Sequence, residues 1–192
     1  MAMSTQFHST SYSLANLGTS IREVAEFVDD TGWDQRPEMF ALVPTSLLAE
    51  TDPSLIHDLD SAGLTPIEQA ALHEDIDQHP DALGEIVSGI TWPDSVVGAI
   101  LVRQIVVLPP GADADVDADP TRARRNPASQ DARLYSGVLR DGRGLSLLQL
   151  RTPDGAVAPS PVQGRVELLQ YEGLGAEMLD ALRATFEADP ED

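Results

Sequence analysis

The chain of 192 residues has no cysteine and no lysine. Lack of cysteine excludes disulfide staples, thiolate metal sites and cysteine nucleophiles together. Lack of lysine makes all twelve basic side chains arginine, a bias that a GC-rich genome produces as readily as a recognition task. Aromatic residues are only 5%, so a core has to come from aliphatic side chains, for which 42% hydrophobic content suffices. Nowhere do eighteen apolar residues run together, and Met1 to Ser13 is polar with no signal-peptide core. A soluble cytoplasmic protein is the expectation, with no membrane partner.

Acids outnumber arginines heavily, giving a formal net charge of -20. The imbalance is uneven: residues 1–100 hold 17 acids and two arginines, whereas 103–151 hold eight arginines and six acids. A net charge of this sign repels nucleic-acid backbones and anionic membranes, so no nucleic-acid partner is expected.

The stretch from Trp92 to Arg151 organises the rest. Val96 to Val107 is apolar on both parities apart from Arg103 and Gln104, the pattern of a central strand covered on both faces along much of its length. Ala132 to Arg140 and Leu145 to Arg151 flank Asp141-Gly142, the strongest short hairpin signal. A two-residue turn there, or a four-residue loop to Gly144, places Arg133 with Tyr135, Leu139, Leu148 and Leu150. It places Leu134, Ser136 and Val138 with Arg140, Leu145, Leu147, Gln149 and Arg151 on the other face.

Around this stretch, Leu14, Leu17, Ile21, Val24 and Val28 recur at helical spacing up to Gly32, with Gly18 making Thr19 an alternative start and Ser20 to Glu23 a possible internal capping box. Met39 to Val43 reads as a short buried strand, and Thr45 can cap a helical turn through Leu48. Thr65-Pro66-Ile67-Glu68 reads as a helix start: a threonine cap, proline at the first helical position and glutamate three residues after the cap. Leu83, Ile86, Val87 and Ile90 form one face of a further helix. Val166 to Tyr171 suits a strand or a helix. Met178, Leu179, Leu182 and Phe186 mark a last helix over Gly175 to Glu187.

Candidate chemistry is sparse. His73, Asp75, Asp77 and His79 form i,i+4 pairs if helical, making His73, Asp77 and His79 weak metal candidates. Pro80 ends the helix and no third ligand is in phase, so a solvated acidic helix end is the better reading and no metal or cofactor is expected. The aspartates at 113, 115, 117 and 119 imitate an EF-hand opening, but Ala118 stands where that loop needs glycine and Arg124 where it needs glutamate. Residues 111–130 therefore read as a mobile acidic insertion. Gly173-Leu174-Gly175 reads as helix entry rather than a phosphate cradle, and no Walker A, G-x-S-x-G or H-E-x-x-H sequence occurs. Arg103, Arg133, Arg140 and Arg151 belong to the sheet and form the candidate anion site, since guanidinium pairs carboxylates bidentately; the plainer reading is that they pair with the chain's own acids. Trp33 and Trp92 each precede a strand and read as packing anchors. No catalytic residue stands out.

Three stretches in order are Gly32-Trp33-Asp34-Gln35-x-Pro37, Trp92-Pro93-x-x-Val96-x-Gly98 running to Leu108-Pro109-Pro110, and Gly137-Val138-Leu139-Arg140-Asp141-Gly142. On these the chain resembles a group of small acidic actinobacterial proteins with no assigned activity, from about residue 14 to 187. The resemblance implies an actinobacterial source and a soluble single domain, with the acidic stretch as a variable insertion. It carries over no catalytic residue.

The fold expected is therefore α+β: one domain over 1–192 with an ordered core at 13–187, two layers, about four antiparallel strands, and helices on one face. That order of elements is loosely similar to secretion-chaperone folds, an analogy that does not fix function. The leading functional expectation is a non-enzymatic cytoplasmic protein-binding, adaptor or chaperone-like protein, with a homodimer as the simplest way to cover the second face of the sheet. A small anionic-ligand binder or small enzyme using the sheet arginines is the alternative, and an acidic nucleic-acid mimic a third.

Overall fold

The computed structural model describes residues 11–51, 63–70, 72, 82–108, 125, 127–152 and 166–187. His73, Asp77 and His79 lie outside the described residues, as does nearly all of the acidic stretch 111–130. The elements are α1 (Leu14–Thr31), β1 (Glu38–Pro44), α2 (Thr45–Thr51), β2 (Leu64–Glu68), α3 (Leu83–Ser88), β3 (Gly98–Val107), β4 (Gln130–Leu139), β5 (Gly144–Leu150) and α4 (Ala176–Glu187). The strands form one antiparallel sheet in the order β2-β1-β3-β4-β5. The class is α+β, as expected, with five strands in place of four.

The additional strand is the Thr65-Pro66 segment, which the sequence presents as a helix start. Its capping signals are outweighed by pairing with β1, where Pro66 stands opposite Leu42. The Gln69 amide donates to Met39 O and the Thr45 amide to Gly63 O, which directs the backbone of 65 and 67 toward β1 and that of 64, 66 and 68 outward. The amide hydrogen that Pro66 lacks therefore belongs to the open edge, where a strand tolerates proline.

Helices cover both faces of the sheet, which corrects the two-layer expectation. On one face Leu17, Ile21, Val24 and Val28 of α1 pack with Phe40, Leu42, Ile100, Val102, Tyr135 and Leu139. On the other, Leu83 and Val87 of α3 and Met178 and Leu182 of α4 pack with Met39, Ala99, Leu101 and Val138. The doubly apolar pattern of β3 is explained within the chain, and each fully buried aliphatic contributes about 1.5–3 kcal/mol as an upper figure. The sheet thus gives no reason of its own for a second subunit.

Helix α1 begins before Gly18. Ser13 Oγ accepts from the Asn16 amide at 3.2 Å and Asn16 Oδ1 accepts from the Ser13 amide at 2.8 Å, a reciprocal capping box that fixes the start at Leu14. Two glycines permit close approach. A Cβ on Gly137 would lie 2.9 Å from Leu17 Cδ1, and one on Gly98 would lie 2.8 Å from the backbone oxygen of Val138.

The hairpin between β4 and β5 is one residue out of the expected register. Gly142 N donates to Leu139 O (2.9 Å), Leu139 N donates to Arg143 O (2.8 Å), and only Gly142 of the turn has positive φ, at 89°. This is a three-residue loop of Arg140, Asp141 and Gly142 with the glycine as the bulge residue, in place of a two-residue turn. Arg133 consequently stands opposite Gln149, and Tyr135 opposite Leu147. The shift of one turns all of β5 over relative to the expectation. At the far edge Leu169 bridges to Leu148, and Val166 to Tyr171 forms neither helix nor strand apart from that single bridge.

Candidate functional site

The corrected register brings two of the four candidate arginines together. Arg133 and Arg151 lie on the α1 face at the end of the sheet where α1 stops. Their guanidinium carbons stand 4.2 and 5.4 Å from the centre of the Trp33 ring, within cation–π range. Trp33 follows Gly32, the C-terminal cap of α1, so the helix end and its following turn place the ring.

Arg133 is 1% exposed and fully engaged. It donates to Gly32 O and to Gln149 Oε1 and faces Asp29 Oδ1 at 3.5 Å. A cation at the carboxyl end of α1 meets the negative end of the helix dipole and its free carbonyls. Gln149 completes the cluster, accepting from the Tyr135 hydroxyl at 2.7 Å and donating to Asp29 at 2.7 Å. Burial pushes the Tyr135 hydroxyl up to about 12, with Arg133 opposing. Arg151 pairs with Asp34 at 3.3 Å and Asp131 at 3.5 Å.

The other two arginines lie elsewhere. Arg103 is on the opposite face, opposite Leu134 in the register. Its Nε is buried without a hydrogen-bond partner, and burial pulls its guanidinium below the usual value while Glu177 acts the other way. Arg140 belongs to the hairpin loop, where its Nε donates to Val96 O (2.9 Å) and its Nη2 to Pro93 O (2.7 Å), and it lies 5.1 Å from the Phe186 ring centre. Trp92 stacks on Phe186 and donates to Thr185 Oγ1 at 2.9 Å. The four arginines do not converge on one site, and Trp92 is a packing anchor.

Beside Arg133 a small cleft lies between Val28, Gln35, Arg36, Glu38 and the Val102-Arg103-Gln104 segment of β3, with a volume of about 10 Å³, roughly one water. Glu38 Oε2 and Gln104 Nε2 are buried there without hydrogen-bond partners. Burial, then Glu68, raise the Glu38 carboxyl above its usual range, and Arg133 opposes them. A cleft of this size admits no organic substrate. Among the described residues no group of three His, Asp or Glu side chains is placed to hold a metal, and no helix is long and apolar enough to cross a membrane.

Sequence reasoning missed Asp29, Gln149 and Glu38. Gln149 was hidden by the hairpin register, and Asp29 is one of many exposed acids until the fold sets it beside Arg133. The stretches that carried the resemblance are chiefly architectural: Trp33 is the platform for two arginines, Arg140 of the third stretch holds carbonyls of the second, and Gly98 and Gly137 are close-approach points. A family model described as PPA1309-like protein matches residues 17–187, nearly the whole chain. No curated protein and no solved structure matches it.

Proposed function

Because the chain belongs to the PPA1309-like protein family, whose members are uncharacterised, its own geometry has to carry the functional reading, and we propose that it is a single-domain, non-enzymatic, cytoplasmic protein-binding or adaptor protein. The observation that supports this is the fate of the sheet arginines. Arg133, Arg140 and Arg151 are spent on the chain's own carbonyls, carboxylates and Trp33, and Arg103 faces away from Arg133 and Arg151. The anionic-ligand reading loses the convergence of cations it required. A homodimer loses its argument as well, since α1 covers one face of the sheet and α3 with α4 the other. The net charge of -20 favours a partner of opposite sign.

The test is capture of a partner by the tagged full-length chain at native expression in its source organism, with cross-linking, followed by reconstitution from purified components. A stoichiometric complex, competed by untagged protein, is expected. Recovery of the protein only as an isolated monomer or a self-associated oligomer overturns the reading.

A further inference from the structure

The chain holds two Asp-Gly pairs, Asp141-Gly142 and Asp154-Gly155, and the first lies in the three-residue loop between β4 and β5. Such a pair carries a latent reaction. The amide nitrogen of the glycine, with no side chain beside it as a shield, can attack the aspartate side-chain carbon Cγ. The N–Cγ bond forms, the carboxyl hydroxyl and the amide hydrogen leave together as water, and a five-membered succinimide results. Water then adds to one of the two ring carbonyls. Opening at the main-chain carbonyl routes the backbone through Cγ and gives isoaspartate, with no net change in composition. The protonated carboxyl is the reactive form, because an ionised carboxylate resists a nucleophile and has no hydroxyl to lose.

In this loop both reacting groups are held. Asp141 Oδ2 accepts from Arg143 Nε at 2.9 Å and from Arg143 Nη2, and Asp141 Oδ1 accepts from the Arg143 amide at 3.1 Å. The guanidinium is anchored in turn, since Nη2 also donates to Ser11 Oγ at 3.2 Å and to Tyr12 O, just ahead of α1. The attacking nitrogen is engaged as well: the Gly142 amide donates to Leu139 O at 2.9 Å. Two further arginines clamp the loop without touching either group. Arg140 holds Val96 O and Pro93 O, and Arg183 Nε holds Gly142 O at 2.8 Å. The side-chain hydrogen bond from Arg143, opposed by slight burial, keeps the Asp141 carboxyl below the usual carboxylate range. Geometry and charge agree that the unreactive form is the one bound.

We propose that Asp141 is a latent isoaspartate site and that Arg143 restrains it by keeping the carboxylate ionised and tied to its guanidinium. The consequence reaches the fold. Isoaspartate adds one backbone atom to a loop whose length sets which face each β5 side chain takes, including the pairing of Gln149 with Arg133.

The test incubates the full chain in warm neutral buffer, digests it, and reads isoaspartate at 141 by electron-transfer fragmentation, which separates it from 154. A free peptide spanning Leu139 to Leu145 is the unrestrained reference. The folded chain reacts about tenfold more slowly than the peptide, in line with the backbone freedom lost in a bonded turn. Arg143→Gln raises the rate about two- to fivefold, the size of effect an exposed charge pair supports. Arg143→Lys stays within about twofold of the parent, since both guanidinium donors meet the single oxygen Oδ2 and one ammonium can serve it. Arg183→Gln removes the same charge and a loop clamp but leaves Asp141 bound, so it too stays within about twofold. Asp141 and Arg143 are nearly half exposed, so these variants keep the fold, which melting curves check. A chain as reactive as the peptide, or an Arg143→Gln variant as slow as the parent, overturns the proposal. So does Arg183→Gln matching Arg143→Gln, which would make loop mobility the cause, or Arg143→Lys matching Arg143→Gln, which would remove the charge from the argument.

Discussion

The guanidinium carbon of Arg133 lies 4.2 Å from the centre of the Trp33 ring, while the same side chain donates to the carbonyl of Gly32. One buried side chain thus ties the last turn of α1 to the centre of β4. Replacing Arg133 with Met keeps the bulk and removes every donor, leaving Gly32 O and the Gln149 amide oxygen short of partners. The expected cost is about 2–4 kcal/mol, a fall in Tm of roughly 5–15 °C for a protein of this size. Arg133→Lys should recover little of it, because an ammonium lacks the planar fork that serves three partners and the ring together. Thermal and denaturant unfolding of the two variants check this.

Tyr135 makes the alkaline limb of stability predictable. Its hydroxyl sits at about 12 in the folded chain against an ordinary 10, so between those values the folded state holds a proton that the unfolded state has released. Stability present below pH 10 is therefore lost as pH rises toward 12. Ultraviolet titration should show this tyrosinate forming last or together with unfolding. Tyr135→Phe should soften the pH dependence and cost about 1 kcal/mol at neutral pH through the lost bond to Gln149. An unchanged alkaline limb in that variant contradicts the assignment.

Glu38 acts at the acid end. Its carboxyl is raised by burial first and by Glu68 second, so the folded state binds the proton more tightly than the unfolded state. This contribution favours folding below the ordinary value of 4.5 and fades as pH climbs through the raised folded value. Glu38→Gln should accordingly unfold at higher temperature than the parent at pH 7 and at nearly the same temperature at pH 4. Melting curves at the two pH values, compared as differences, report the sign directly.

The hairpin geometry separates two neighbouring residues. Gly142 has φ of 89° and Asp141 does not lie in that region, whereas a two-residue turn of the usual type would need positive φ at both. Gly142→Ala should cost about 1–2 kcal/mol. Asp141→Ala should cost less than about 1 kcal/mol, since it loses only exposed contacts with Arg143. Equal penalties would favour the two-residue turn.

Gly98 tests the contact between β3 and β4. A Cβ there meets the Val138 carbonyl at 2.8 Å, with Leu42 and Leu139 also close, and a backbone oxygen cannot rotate away as a side chain does. Gly98→Ala should destabilise by about 1–3 kcal/mol. At Gly137 the nearest atoms are the ends of Leu17 and Ile21 side chains, so Gly137→Ala should cost less. Denaturant midpoints rank the two.

By itself the sequence determined the elements whose signals are local and agree with one another. The helical stripe from Leu17 to Val28, the doubly apolar β3, both flanks of the Asp-Gly turn and the final helix could all be read from period and turn chemistry. It also determined that the chain is acidic and lacks thiol chemistry. Tertiary structure decided what depends on pairing. Thr65-Pro66 became a strand because β1 offered it a ladder and left the proline facing the open edge, a long-range gain that outweighed a sound local capping signal. One residue of loop length at Arg140 to Gly142 reversed the faces of β5, and with them the choice of which polar groups meet Arg133. Whether helices lay on one face or two was likewise undecided by any single helix, because each has one apolar stripe and only packing against the sheet says which side that stripe meets. The sheet arginines could be counted in the sequence, but their partners come from residues up to 117 positions away, and that distance is closed only by the fold.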